Sequence, residues 1–142
     1  MMIFFLRIDP PRATAQEKQS TMRNGKHVFY KNDRLKKAES DLVAALLPHR
    51  PTAPFDGPLS LSVIWFFKTP RRRMWNRWKV TRPDTDNLNK LLKDIMTKLH
   101  FWADDAQVCR ETIEKMWAEI PGIWICIDRL DEKKEAAQHA DK

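Results

Sequence analysis

The chain has 142 residues, 42% hydrophobic and 32% charged, which is one domain's length and excludes a multi-domain enzyme. Lys and Arg number 26 against 19 Asp and Glu, a formal net charge of +7, and such a field favours a polyanionic partner, nucleic acid ahead of an anionic membrane surface. Six Trp and seven Phe argue against disorder throughout, and a total of three Gly excludes a glycine-rich phosphate loop.

In chain order, residues 2–8 (MIFFLRI) read as a short buried strand; the apolar run stops at Arg7, too early to span a bilayer, so no membrane partner is expected. Residues 9–27, with Pro10, Pro11 and Gly25, read as a polar loop. HVFY at 27–30 suggests a second short strand. Asn32 or Asp33 has the chemistry of an N-cap, and Leu35, Ala38, Leu42, Ala45 and Leu46 follow at helical spacing until Pro48. Residues 51–58 are a loop. In LSLSVIWFF (59–67), Leu59, Leu61, Val63, Trp65 and Phe67 share one face; Ser60 and Ser62 open the other, which Ile64 and Phe66 make apolar. The expectation is a strand buried on one side at its start and on both at its end.

Residues 68–82 break every period. A helix is expected over 85–99, a strand over 107–118, a turn at Pro121-Gly122, and a last buried strand at 123–127. Residues 131–142 read as a solvated tail, leaving 1–130 as a single domain. The pattern predicts an α/β (α+β) fold, a mixed β-sheet of about five strands with two main helices. Cys109 and Cys126 are too few for a disulfide framework and read as buried strand residues. With no secretory signal in view, a reducing cytoplasm is the expected setting.

The chemistry concentrates in 82–108. On a helix turning about 100° per residue, Lys90, Lys93, Asp94 and Thr97 fall near Asp86. Leu88, Leu91, Leu92, Ile95, Met96 and Leu99 fall opposite, as a core stripe. Asp84 precedes the helix, Asp86 and Lys90 lie one turn apart, and Asp104 and Asp105 follow in a turn before the next strand. Taken singly, each has a structural explanation: a cap, an i,i+4 ion pair, an ordinary turn. Jointly, several carboxylates at the ends of neighbouring elements in a basic chain would repel unless a cation sits among them. All-oxygen ligands suit Mg²⁺, with Mn²⁺ as the alternative.

These residues also carry a resemblance. R-P-D-T-D-N-L-x-K, a helix, then F-W-A-D-D-A-Q-V, from Arg82 to Val108, resembles the RusA family of Holliday-junction resolvases. The resemblance implies a Mg²⁺-dependent endodeoxyribonuclease that acts as a homodimer on four-way DNA junctions in recombination or repair, in a bacterial or phage-infected cell. By motif position it places the essential carboxylates on Asp84, Asp86 and Asp105 and the essential lysine on Lys90. Asp104 matches a position that is acidic in the family. The N-terminal loop 12–31 and the RRRMWNRWK stretch depart from the family pattern.

DNA contact is expected from Arg71, Arg72, Arg73, Arg77 and Lys79, in a segment with no acid, and from the interleaved Trp75 and Trp78, which can stack on unpaired bases or pack on protein. Arg12, Lys18, Arg23 and Lys26 form a second basic segment. Two symmetric nicks call for a two-fold homodimer with an apolar interface. The competing readings are a non-catalytic DNA-binding module and a broader nuclease for branched DNA.

Overall fold

The computed structural model describes residues 1–12, 19–23, 25–30 and 33–132, with 19–23 and 26–30 described by backbone alone. The elements are β1 (Met2–Leu6), β2 (Gln19–Arg23), β3 (Lys26–Tyr30), α1 (Asp33–Leu46), β4 (Leu59–Lys68), α2 (Thr85–Lys98), β5 (Val108–Ala118) and β6 (Gly122–Arg129), with short 3-10 turns at 47–49, 72–74 and 105–107. β2 and β3 form a separate antiparallel pair, so a strand occupies part of the segment expected to be loop. The remaining strands make one mixed sheet in the order β1-β6-β4-β5, in which only β4 and β5 are parallel.

That parallel pair governs the layout. Two parallel neighbours need a crossover, and α2 supplies it, running back along the sheet against both strands. Its apolar stripe buries Leu88, Leu91, Leu92, Ile95 and Met96, and α1 buries Leu35, Leu42 and Leu46. Both pack in one core with Leu59, Leu61, Val63, Trp65 and Phe67 of β4 and Ile123, Ile125 and Ile127 of β6. A polar chain ties helix to sheet within that core. The Trp65 indole N–H donates to Asn89 Oδ1 at 2.8 Å, and Asn89 Nδ2 donates to Glu111 Oε2 at 2.8 Å. Lys93 pairs with the same carboxylate at 3.1 Å. A buried indole N–H needs an acceptor, and Asn89, only 1% exposed, provides it.

The helices cover one face of the sheet. On the other, Ile64 and Phe66 are half-buried, not enclosed as their sequence suggested, and Ile3 and Phe5 are exposed. Gly122 is required where β6 passes β1: a Cβ there would lie 2.0 Å from the Phe5 ring and 2.8 Å from the Leu6 carbonyl oxygen.

Asn89→Ala should lower stability by about 1–3 kcal/mol, because it strands the Trp65 donor and half of the Glu111 carboxylate. Breaking the exposed Lys37–Asp41 pair with Lys37→Ala should cost no more than about 0.5 kcal/mol. Chemical denaturation of the two variants checks the contrast, and equal losses would contradict it.

Candidate active site

α2 begins at the end of the sheet where β4 and β5 finish. Asp84 is its N-cap residue, in extended conformation, yet its side chain makes no capping hydrogen bond. Asp86 sits in the first turn and Lys90 one turn on, both exposed. Among the described residues they form no ion pair with each other. The structural roles that sequence allows for Asp84 and Asp86, a side-chain cap and an i,i+4 pair, are therefore not the ones these carboxylates perform.

The segment leading to Asp84 is held from the sheet. Residues 76–79 lie along the edge of β5, with Asn76 N donating to Trp117 O at 2.9 Å, Trp117 N to Arg77 O at 2.9 Å and Lys79 N to Lys115 O at 3.1 Å. The Lys79 side chain turns inward, 8% exposed, with its ammonium 5.0 Å from the Phe67 ring centroid and 4.4 Å from that of Trp117. It donates to Thr81 Oγ1 at 2.5 Å and to the Arg82 carbonyl at 2.7 Å. Lys115 donates to the carbonyls of Thr81 at 2.6 Å and Pro83 at 2.7 Å. Burial, added to by the charges of Lys115 and Arg12, lowers the Lys79 pKa from the usual lysine value.

Asp104 and Asp105 lie at the opposite end of α2. The helix closes through Phe101 N to Met96 O at 3.0 Å, and the Trp102 indole donates to Thr97 Oγ1 at 2.7 Å. Asp104 then caps the 3-10 turn, its Oδ1 accepting from Ala106 N at 2.9 Å, while Gln107 Oε1 accepts from Asp104 N at 3.1 Å. Gln107 Nε2 fastens this turn to the carbonyls of Phe55 (3.1 Å) and Gly57 (3.0 Å). Asp104 thus has a structural task, and the Asp105 carboxylate, half-buried beside it, makes no hydrogen bond or ion pair with the described residues; only its main-chain carbonyl is engaged, accepting from Val108 N.

Asp84 and Asp86 are therefore neighbours, and Asp105 is remote from them. α2 has 14 residues, about 21 Å at about 1.5 Å per residue. Among the described residues no three His, Cys, Asp or Glu side chains stand close enough together to share a metal ion. Free carboxylate oxygens suit a hard divalent cation, but one chain offers it an incomplete set.

The sequence matches the family described as Endodeoxyribonuclease RusA over residues 10–128. It is also 38% identical over 107 residues to the crossover junction endodeoxyribonuclease rusA of Lactococcus phage r1t, covering 74% of this chain and 80% of that relative. This chain belongs to the RusA family. It is an endodeoxyribonuclease, and the mixed sheet with two helices is the α+β fold expected of it.

Within this RusA-family chain the basic segments sort by placement. Arg71, Arg72, Arg73 and Arg77 are exposed, as is Arg12. Trp78 is 62% exposed, free to meet a base, whereas Trp75 donates its indole N–H to Thr69 O at 2.9 Å under the Arg72 guanidinium. Lys79 departs from the expected DNA contact: its ammonium is buried and donates to the Thr81 hydroxyl and the Arg82 carbonyl of its own chain. Lys18 lies outside the described residues, and Arg23 and Lys26 fall on strands described by backbone alone. Cys109 is exposed rather than buried, while Cys126 is half-buried, with a thiol pKa raised by burial and Asp128. Sequence reasoning missed Asn89, Lys115 and Gln107 as organisers of the site. For Asn89 the available signal was a buried tryptophan needing an acceptor.

Replacing Arg71, Arg72 and Arg73 together with Ala should reduce the slope of log affinity for junction DNA against log salt by about 2–3, since each phosphate contact contributes about 0.9. Electrophoretic binding across a salt series checks this, and an unchanged slope would show that these arginines touch no phosphate.

Proposed function

We propose that this chain resolves four-way DNA junctions as a homodimer, by paired symmetric phosphodiester hydrolysis at sites built on Asp84, Asp86, Lys90 and Asp105. The observation that carries this reading is a set of three carboxylates without structural employment, at the two ends of one helix, in a chain of net charge +7. Asp84, Asp86 and Asp105 would hold Mg²⁺, with Mn²⁺ a substitute, and the bound ion would supply charge neutralisation at the phosphate and an activated water. Lys90, on the face of α2 that carries Asp86, binds the scissile phosphate. The exposed arginines at 71–73 and 77, with Arg12 and Trp78, hold the junction arms. Residues 1–130 form the nuclease domain, and of the expected tail at 131–142 the residues from 133 onward lie outside the described residues.

Homodimerisation has two supports. A junction is cut twice, symmetrically, which suits a two-fold pair of sites. One chain also separates Asp105 from Asp84 and Asp86 by a helix length, so a second copy is the natural source of the missing carboxylate. The phage relative is named for crossover junctions, which favours four-way DNA over flaps or forks. Among the described residues no helix is long and apolar enough to cross a membrane, consistent with a DNA substrate in the cytoplasm of a bacterial or phage-infected cell.

The test is nicking of a panel of four-way, three-way and flap DNAs with Mg²⁺ or with EDTA. Paired symmetric incision of the four-way junction, abolished by EDTA, is expected; cleavage unaffected by EDTA, or confined to flaps, would contradict the reading. Asp84→Asn, Asp105→Asn and Lys90→Ala should each lower the rate by about a thousandfold, about 4 kcal/mol of transition-state stabilisation, while junction binding persists. Normal turnover in any one of them removes that residue from the site.

A further inference from the structure

We propose that Lys115 and Lys79 are positioning residues of the nuclease site: their ammonium groups hold the main chain at Thr81, Arg82 and Pro83 and thereby set where Asp84 presents its carboxylate. The inference rests on reading Asp84 as an ion ligand. Sheet-like bonding of this segment to β5 ends at Lys79 N, and the helix ladder begins where Leu88 N meets Asp84 O at 3.1 Å. Between those points, among the described residues, the hydrogen bonds to 80–83 come from these two lysines alone: Lys115 to the carbonyls of Thr81 and Pro83, Lys79 to the Thr81 hydroxyl and the Arg82 carbonyl. Packing does little to anchor the segment, since Val80 is 90% exposed, Thr81 and Arg82 are exposed as well, and Pro83 is half-buried.

Solvent would satisfy those carbonyls equally well, so satisfaction alone does not account for the arrangement. Burying an ammonium beside a second cation is unfavourable, and Lys79 bears that cost between Phe67 and Trp117. What the two lysines add is geometry. They come from different places, one from the edge segment at 76–79 and one from β5, and they grip three consecutive residues. Asp84 is then pinned from both sides, by the gripped residues before it and by the first turn of α2 after it. Groups that orient a ligand in this way typically change metal affinity or activity by 10–100-fold when removed.

The experiment measures Mn²⁺ binding to the full chain by calorimetry, with thermal melts confirming that each variant is folded. Lys115→Met and Lys115→Gln should each weaken Mn²⁺ binding about 10- to 100-fold. Lys115→Arg, which keeps donors for the two carbonyls, should return it to within a few-fold of the parent. The Mg²⁺ concentration for half-maximal nicking should rise in parallel in the Met and Gln variants, and Lys79→Met should behave as Lys115→Met does. Parent-like Mn²⁺ binding by both Lys115→Met and Lys115→Gln overturns the proposal, as does a loss that Lys115→Arg leaves unrelieved. Asp84→Asn separates the two claims. If it binds Mn²⁺ as the parent does, the ligand reading of Asp84 fails; if it loses binding while the Lys115 variants keep theirs, only the positioning role fails.

Discussion

Parallel pairing of β4 with β5 is the constraint from which the rest follows. A chain that leaves one strand and enters its parallel neighbour must travel back the full length of the sheet. Here α2 makes that journey, so Asp84 and Asp86 are delivered where the strands end and Asp105 where β5 begins. The core stripe of α2 and the Trp65–Asn89–Glu111 chain then lock the helix in register against the strands. No side-chain rearrangement short of unfolding the crossover brings the two ends of α2 together.

The separation has an electrostatic consequence. Three carboxylates at one point repel strongly and need an ion before the site can form. Here only Asp84 and Asp86 are neighbours, and Asp105, at the other end of a helix about 21 Å long by the rise per residue, lies beyond the screening length of roughly 8–10 Å at moderate salt. On the reading proposed here, a single chain thus holds no three-carboxylate cluster that demands an ion. The demand for the cation arises only when two copies bring the ends together, which couples metal binding to assembly on the reading proposed here. Both ends are braced by groups that leave the relevant acids free. The lysine grip holds the approach to Asp84, while Asp104 and Gln107 take over the capping and fastening of the other turn, so that Asp105 is not consumed by it.

Much of this was legible in the residues. The alternation of β4, the core stripe of α2 and the positions of α1 and β6 follow from hydrophobic period, because one face of each is buried in a single core, and β5 packs Val108, Ile113 and Trp117 half-buried against that core. The acids and Lys90 stood out because their spacing matched a specific motif. Lys79 was misread because a basic residue among arginines and tryptophans looks like DNA-binding chemistry; only the fold shows that the chain doubles back along β5 and turns that ammonium inward. The strand at 19–23 was missed because its mostly polar residues, QSTMR, carry no apolar alternation. The open second face of β4 could not be foreseen, since Ile64 and Phe66 carry the same apolar signal whether or not a layer covers them. Distance along a helix was legible as well, yet the convergence of Asp84, Asp86 and Asp105 was expected within one chain, and topology forbids it.

Mixing chains is the most direct test of the central claim. Asp84→Asn and Asp105→Asn are each expected to be inactive alone. Exchanged into mixed dimers, they leave one site with both substitutions and one with neither, if Asp105 of each copy completes the Asp84–Asp86 pair of the other. An equal mixture should recover about a quarter of the parent's sites, seen as single nicks in junctions rather than paired cuts. A mixture as inactive as its components would contradict the account and return all three carboxylates to a single chain.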